Sequence, residues 1–196
     1  MATKDTAIAR VAPKSLAKRP TIKQLLRERS QVALDIGGGE NPHPGAINMD
    51  IRDLPSVHIV HDIEQYPWPL PDKCVDLMIA SHVVEHIDPA RGNFLRWMAE
   101  AWRVLKPGGQ FIISYPYGGS PGFLQDPTHC NNCTERTWTY FDPYHATQLY
   151  RVYRPLPFKI VSNEYHIVGN AEVRLAKLSV KPEFGCLEAQ PYLTSK

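Results

Sequence analysis

Val32-Ala33-Leu34-Asp35-Ile36-Gly37-Gly38-Gly39, followed by Ala46-Ile47-Asn48-Met49-Asp50, is the stretch that decides the fold of this chain. Each half is a short apolar run of the kind a buried parallel strand shows, and glycines end the first where backbone must approach a ligand closely. Asp35 interrupts the first run. A carboxylate there is costly to bury unless it accepts hydrogen bonds or faces a cation, so its position points to a ligand. Two strand ends, each with an acid, predict a nucleoside site in an open αβ sheet, where ligands bind at the carboxyl ends of strands.

Absences narrow the nucleoside. A dinucleotide fingerprint needs a third glycine and a helix whose N-terminus receives the pyrophosphate. Here Pro42 stands at the third-glycine position, and Pro42, Pro44 and Gly45 leave no room for an ordinary helix before the next strand. That disfavours NAD and FAD, and the lack of a GxxxxGK[ST] segment removes the P-loop reading. A nucleoside without phosphates fits better.

Five segments in order carry a resemblance: Asp35-Ile36-Gly37-Gly38-Gly39, Asn48-Met49-Asp50, His61-Asp62-Ile63-Glu64, Val75-Asp76-Leu77-Met78-Ile79-Ala80-Ser81 and Arg103-Val104-Leu105-Lys106-Pro107-Gly108-Gly109. Together they resemble the successive motifs of class I S-adenosylmethionine-dependent methyltransferases, over about residues 32 to 115. The likeness is to small bacterial and phage members of the methyltransferase type 11 kind, in which the first helix is reduced to a proline-rich loop. The resemblance implies a Rossmann-like doubly wound αβ sheet, mostly parallel and ending in an antiparallel hairpin, with S-adenosylmethionine as cofactor. It implies that Asp35, Gly37 and Gly39 lie near the methionine amino group. Asp50, with Ile51 after it, matches the acid that takes both ribose hydroxyls, and two acceptor oxygens suit a vicinal diol. Asp62 matches the residue at the adenine amino group, Ile63 offers its backbone N–H to the ring, and Ser81 and His82 lie beneath the sulfonium.

Ser81-His82-Val83-Val84-Glu85-His86 is the second informative cluster. His-x-x-Glu-His also occurs in inverted zinc peptidases, but that chemistry needs the pattern inside a regular helix, whereas here it straddles a strand end. In the small-RNA and ubiquinone-pathway O-methyltransferases that the segment resembles, acids and histidines gather a divalent cation. Here His82 replaces the first acid, while Glu85 and His86 match and His129 stands where a later ligand would. With that replacement no metal is assigned. Asp126-Pro127-Thr128-His129 places an imidazole in a loop after the fifth strand, where it can act as a general base near neutrality. His86 and His129 are therefore the candidate catalytic residues. Cys130 and Cys133 form a lone Cys-x-x-Cys, weak evidence for zinc without a second pair. His43, His58, His61 and His145 have no partner spacing and are expected to be satisfied surface or loop residues. The Asn/Asp-Pro-Pro-Tyr/Phe segment and the Pro-Cys nucleophile of DNA base methyltransferases are both absent.

A chain of 196 residues with 43% hydrophobic composition suffices for one αβ domain with a core. The expected division is a basic, partly disordered leader over 1–30, a methyltransferase domain over 31–181 and a tail over 182–196. The leader carries +6 of a net charge of +2, leaving −4 on the rest, which argues against a nucleic-acid groove on the domain. No apolar run approaches the roughly 20 residues of a membrane span, and no signal-peptide core is seen, so a cytoplasmic protein with reduced cysteines is expected.

Strands are predicted at about 32–36, 46–51, 57–61, 75–80 and 110–114, and a short helix at about 22–29. The clearest helix has Asp88 as N-cap, Pro89 in the first turn and Phe94, Met98, Ala101, Trp102 and Leu105 on its apolar stripe, and Lys106-Pro107-Gly108-Gly109 ends it. Residues 158–168 and 171–180 flank Gly169-Asn170, a two-residue hairpin signal. The expected activity is methyl transfer to an oxygen of a small molecule or glycan. The alternative is a noncatalytic binding or regulatory protein of the same fold, and a nicotinamide oxidoreductase lacks its pyrophosphate geometry.

Overall fold

The computed structural model describes residues 19–166 and 168–179. Leu34 and Ile36 have no exposed surface, as expected of a run flanked by partners on both sides. They lie on β1 (Ala33–Ile36), which pairs in parallel with β2 (Ile47–Asp50) on one side and β4 (Val75–Ser81) on the other. β3 (Ile59–Val60) extends the sheet beyond β2, and β5 (Leu105–Pro116) lies in parallel beyond β4. β6 (Phe158–Tyr165) and β7 (Asn170–Lys177) form an antiparallel hairpin whose second strand pairs antiparallel with β5. The order is β3-β2-β1-β4-β5-β7-β6. A mostly parallel sheet ending in a hairpin is the fold class the sequence predicts.

Few helices cover it. α1 (Ile22–Arg27) starts with a capping box, in which Thr21 and Gln24 satisfy each other's backbone N–H, and it buries Leu25 in the core. Arg19 binds the Val57 carbonyl and pairs with Asp53, so this part of the basic segment is docked on the domain. α2 (Asn93–Val104) crosses from β4 to β5 and buries Trp97, Met98, Ala101 and Val104. The connections from β1 to β2 and from β2 to β3 contain no helix. Pro42 and Pro44 account for the first.

Three local expectations are corrected. Asp88 does not cap α2: its Oδ1 accepts from the Ala90 N–H of a 3-10 turn at Ala90–Gly92, and the N-cap is Gly92. Arg91 and Gly92, at φ +53° and +75°, break the helix before Asn93. The second correction concerns Lys106-Pro107-Gly108-Gly109, which bulges within β5: Val75 pairs with Leu105 and Leu77 with Gln110, so four residues loop out and pairing resumes. Leu105, read as helical, is therefore a strand residue. Lastly, the hairpin is closed by His166 N–H on the Asn170 carbonyl and Gly169 N–H on the His166 carbonyl, and Asn170 is already in β7. The predicted strand segment at 180 lies outside the described residues, as do the tail from 182 and leader residues 1–18.

Candidate cofactor and acceptor site

Backbone dictates the first part of the site. Gly37 and Gly39 have φ of +70° and +55°, a region side chains rarely enter. Gly38 leaves no space for a side chain: a Cβ there would stand 2.7 Å from Asn48 Oδ1 and 2.8 Å from Asp35 Oδ2. Asn48 has no exposed surface and pins the turn from below, donating to the Gly39 and Ser56 carbonyls at 2.9 and 3.1 Å. Asp35 Oδ2 accepts from the His43 N–H at 2.6 Å. Burial raises the Asp35 carboxyl above its ordinary range, and that hydrogen bond only partly offsets it.

Asp50 closes β2. Its Oδ2 accepts from Gly39 N–H at 3.0 Å, and its Oδ1 accepts from the Arg52 N–H and Nε at 2.8 and 3.2 Å. Burial pulls this carboxyl up, but the bonds from Arg52 and Gly39 outweigh it and hold it below the usual range. The Arg52 guanidinium lies against Gly39, so a Cβ at that glycine would collide with it.

A cavity of about 320 Å³ opens beside these strand ends, lined by Gly37, Asp50, Ile51, Asp62, Ile63 and His82 among the expected residues. His86, expected to be catalytic, lines it too. Asp35, Gly39 and Ser81 do not line it. Asp35 lies under the glycine turn, Gly39 supports Asp50, and Ser81 ends β4 with its backbone opposite Ser114. Arg52, His61 and Glu64 also line the cavity, without having been singled out from the sequence as ligand residues. An arginine two residues after a strand-end acid is the signal that would have found Arg52. Asp62 Oδ1 accepts from Glu64 N–H at 3.0 Å, holding this loop in a tight turn.

His82 sits at φ +54°, and its Nδ1 lies 3.2 Å from Glu85 Oε1. The contact is an ion pair rather than an aligned hydrogen bond, and neither Glu85 oxygen accepts a hydrogen bond from the described protein. The Glu85 carboxylate is the main reason the His82 imidazole titrates above its ordinary value. Beyond it, His86 and His129 meet edge to face with ring centroids 4.8 Å apart. The two expected catalytic residues, 43 positions apart in sequence, are thus brought together. Backbone staples hold them: Cys130 and Asn131 N–H both donate to the Glu85 carbonyl, at 2.8 and 3.0 Å, and the buried Asn131 side chain donates to the Val84 carbonyl. Cys133 is buried, with its thiol pushed up to about 12 by burial and then by the Glu85 charge.

A second cavity, about 370 Å³, is lined by Pro89, Gly92, Phe94, Leu95, Thr137, Tyr140, Phe141 and Tyr153. The chain passes from the first cavity at His86 and Ile87 to the second at Pro89.

Residues 34–113 match the family described as "Methyltransferase domain". A stretch of 49 residues is 43% identical to a Mycolicibacterium smegmatis protein named "Probable S-adenosylmethionine-dependent methyltransferase", and it spans 24% of this chain and 17% of that protein. Among solved structures, an S-adenosylmethionine-dependent methyltransferase from Archaeoglobus fulgidus superposes with a TM-score of 0.52 at 19% identity, covering 75% of this chain and 86% of the other. One from Mesorhizobium loti gives 0.52 at 15%, covering 78% and 95%. At these identities the structures speak for the fold alone, and the domain match and the local identity each cover less than half of the chain. The glycine turn, the paired Asp50 and a cavity along three strand ends suit a nucleoside bearing a cation better than a phosphate. Residues 34–113 are thus similar to a methyltransferase domain, and the strand order of the whole sheet is that of solved S-adenosylmethionine-dependent methyltransferases.

Proposed function

We propose that the chain transfers the methyl group of S-adenosylmethionine to an oxygen of a small-molecule or glycan acceptor. The observation that carries the reading is the contact of His86, which lines the strand-end cavity, with His129 beside it, each with one ring nitrogen already satisfied. His129 Nδ1 lies 2.9 Å from the Phe123 carbonyl, which can only accept, so this nitrogen bears the proton. Thr128 Oγ1 donates to Asp126 Oδ1 at 2.7 Å and therefore accepts from His86 Nδ1 at 3.1 Å. Both Nε2 atoms are left with lone pairs, as a group handling a hydroxyl proton requires.

The bound cofactor supplies an electrophilic methyl on sulfur. Asp50 would take the ribose hydroxyls with Arg52 turned aside, Asp62 and Ile63 would hold the base, and the buried Asp35, beneath the glycine turn, would contribute negative charge toward the cationic methionine end. His86 or His129 accepts the acceptor's proton as oxygen takes the methyl. Alignment of the two reacting atoms at contact distance supplies most of the rate. The aromatic walls of the second cavity suit the flat or apolar face of a ring.

Calorimetric titration with S-adenosylhomocysteine and, separately, NADH tests the cofactor. S-adenosylhomocysteine is expected to bind and NADH not. Asp50→Ala should weaken binding at least about 100-fold, because two charge-assisted hydrogen bonds go at roughly 1.5–3 kcal/mol each, with the circular dichroism unchanged. Unchanged affinity would remove the ribose assignment. Turnover over a panel of hydroxylated small molecules and sugars separates an enzyme from a noncatalytic binding protein.

A further inference from the structure

We propose that His58 is a positioning residue for the cofactor site: through Asn48, its imidazole holds the Gly37–Gly39 turn in the shape that receives the nucleoside. The inference rests on the proposed S-adenosylmethionine site. His58 does not line the cavity. It stands half-buried just before β3 and meets Asn48 twice. The Asn48 carbonyl accepts from the His58 N–H at 2.9 Å, and the Asn48 N–H donates to His58 Nδ1 at 3.0 Å.

The ladder itself explains why a side chain takes that N–H. A strand N–H is ordinarily met by a backbone carbonyl of its neighbour, but β3 begins only at Ile59, opposite Met49. The carbonyls of the two residues before His58 already have other donors. That of Val57 accepts from Arg19 Nε at 3.0 Å, and that of Ser56 accepts from the Asn48 side-chain amide at 3.1 Å. The same amide donates to the Gly39 carbonyl at 2.9 Å, and Ser56 Oγ donates to that carbonyl at 2.6 Å. With Ser56 and the Asn48 side chain both turned to the glycine turn, the Asn48 N–H is left to His58 Nδ1. Asn48 has no exposed surface, so without the imidazole this donor would be buried and unpaired. The turn held in this way presents Gly39 N–H to Asp50 Oδ2 at 3.0 Å, which carries the effect to the proposed ribose acid.

The contact exists only with a neutral ring. An amide N–H can only donate, so Nδ1 carries a lone pair and Nε2 the proton. A second proton, on Nδ1, would set two donors against each other. Burial, and after it the Arg29 charge, hold the His58 imidazole below its ordinary range, which favours the form the contact needs. Asn48 on β2 and Ser56 in the following loop face it uncharged, and Arg29, beyond the end of α1, is the charged group that acts on it. The contribution of the contact is therefore complete above the unfolded imidazole value of about 6.5, and it is lost as pH falls through the lower folded one.

The test titrates the full chain with S-adenosylhomocysteine by calorimetry between about pH 5 and pH 7.5, in wild type, His58→Asn and His58→Leu. His58→Asn keeps an acceptor near the Nδ1 position without a titrating group, and should bind within about threefold of wild type at the upper pH. His58→Leu should weaken binding about tenfold throughout, because a buried N–H loses its acceptor. His61, His82 and His86 line the cavity in all three proteins, so the difference between the wild-type and His58→Asn curves reports on His58. Wild type should lose about threefold more affinity than His58→Asn on going to the lower pH; superimposable curves would overturn the role. That comparison stands even if His58→Leu fails to fold. In the cofactor-free chain, the Asn48 and Gly39 amide resonances should shift as His58 titrates and stay fixed in His58→Asn, and an Asn48 resonance indifferent to His58 would overturn the contact itself. S-adenosylhomocysteine that binds at no pH would sink the cofactor reading, and the resonances would still decide whether His58 holds the turn.

Discussion

Asp50 and Arg52 show how a single side chain conditions a binding residue. The guanidinium is more than half exposed, so its pair with Asp50 contributes little to stability. It would nevertheless compete with the ribose proposed to bind the same two oxygens. Arg52→Ala is expected to tighten S-adenosylhomocysteine modestly, by about two- to fivefold at neutral pH, because a screened surface competitor is removed. The sign reverses on acidification. Asp50 folds with a carboxyl below its unfolded value, so its stabilising contribution is complete above that unfolded value and is lost as pH falls through the lower folded one. Without Arg52 the carboxyl rises, and the variant should lose affinity at a higher pH than wild type. Calorimetry across pH 4–7 reads both effects, and parallel pH curves would refute the account. Asp50 itself was legible from sequence because it ends an apolar run. Arg52 was not, because a flexible exposed side chain leaves no periodic trace, and the lack of a partner for Glu85 is a property of three-dimensional surroundings that no spacing encodes.

Elements were legible to the degree that one local rule governed them. The central strands β1, β2 and β4 announce themselves as apolar runs because both faces are buried. The start of α2 was misread because Asp88-Pro89 is a sound helix opening that Arg91 and Gly92, in left-handed conformation, interrupt one turn later. Reading Lys106-Pro107-Gly108-Gly109 as a terminator was sound for the helix and incomplete for the strand, since β5 begins before it and pairs with β4 on both sides of the bulge. Gly109 is needed there. An added Cβ would stand 2.9 Å from the Lys106 carbonyl oxygen, 3.1 Å from that of Asp76 and 3.2 Å from that of Val75, all of them backbone. Gly109→Ala should cost about 1–3 kcal/mol and lower the thermal midpoint by roughly 3–10 °C. The bulge lies at the opposite end of the sheet from the cofactor cavity, so S-adenosylhomocysteine affinity of the folded variant should be unchanged; a loss would show that the two ends are coupled.

On the scale of the whole molecule, packing is uneven. The core gathers Trp97, Phe111, Trp138, Phe141 and Phe158 on and around α2 and β5, with Tyr115 bound to the Trp138 indole at 2.7 Å. The long strands β5, β6 and β7 are joined there over seven-residue registers. The other flank has strands of four, four and two residues, connected by loops where many αβ proteins place helices. The same flank carries Gly37, Asp50 and Asp62. Its opening free energy should therefore be the lower of the two, since few buried contacts and short ladders define the least protected part of a structure. Amide hydrogen exchange should be faster in β2 and β3 than in β5 and β7, and S-adenosylhomocysteine should slow it mainly on the β2–β3 flank. Uniform exchange across the sheet would contradict this. The helix-free crossovers would thus set a thermodynamic trade: part of the free energy of the proposed nucleoside binding would go into ordering the flank that holds it, leaving an affinity smaller than the contacts alone would give.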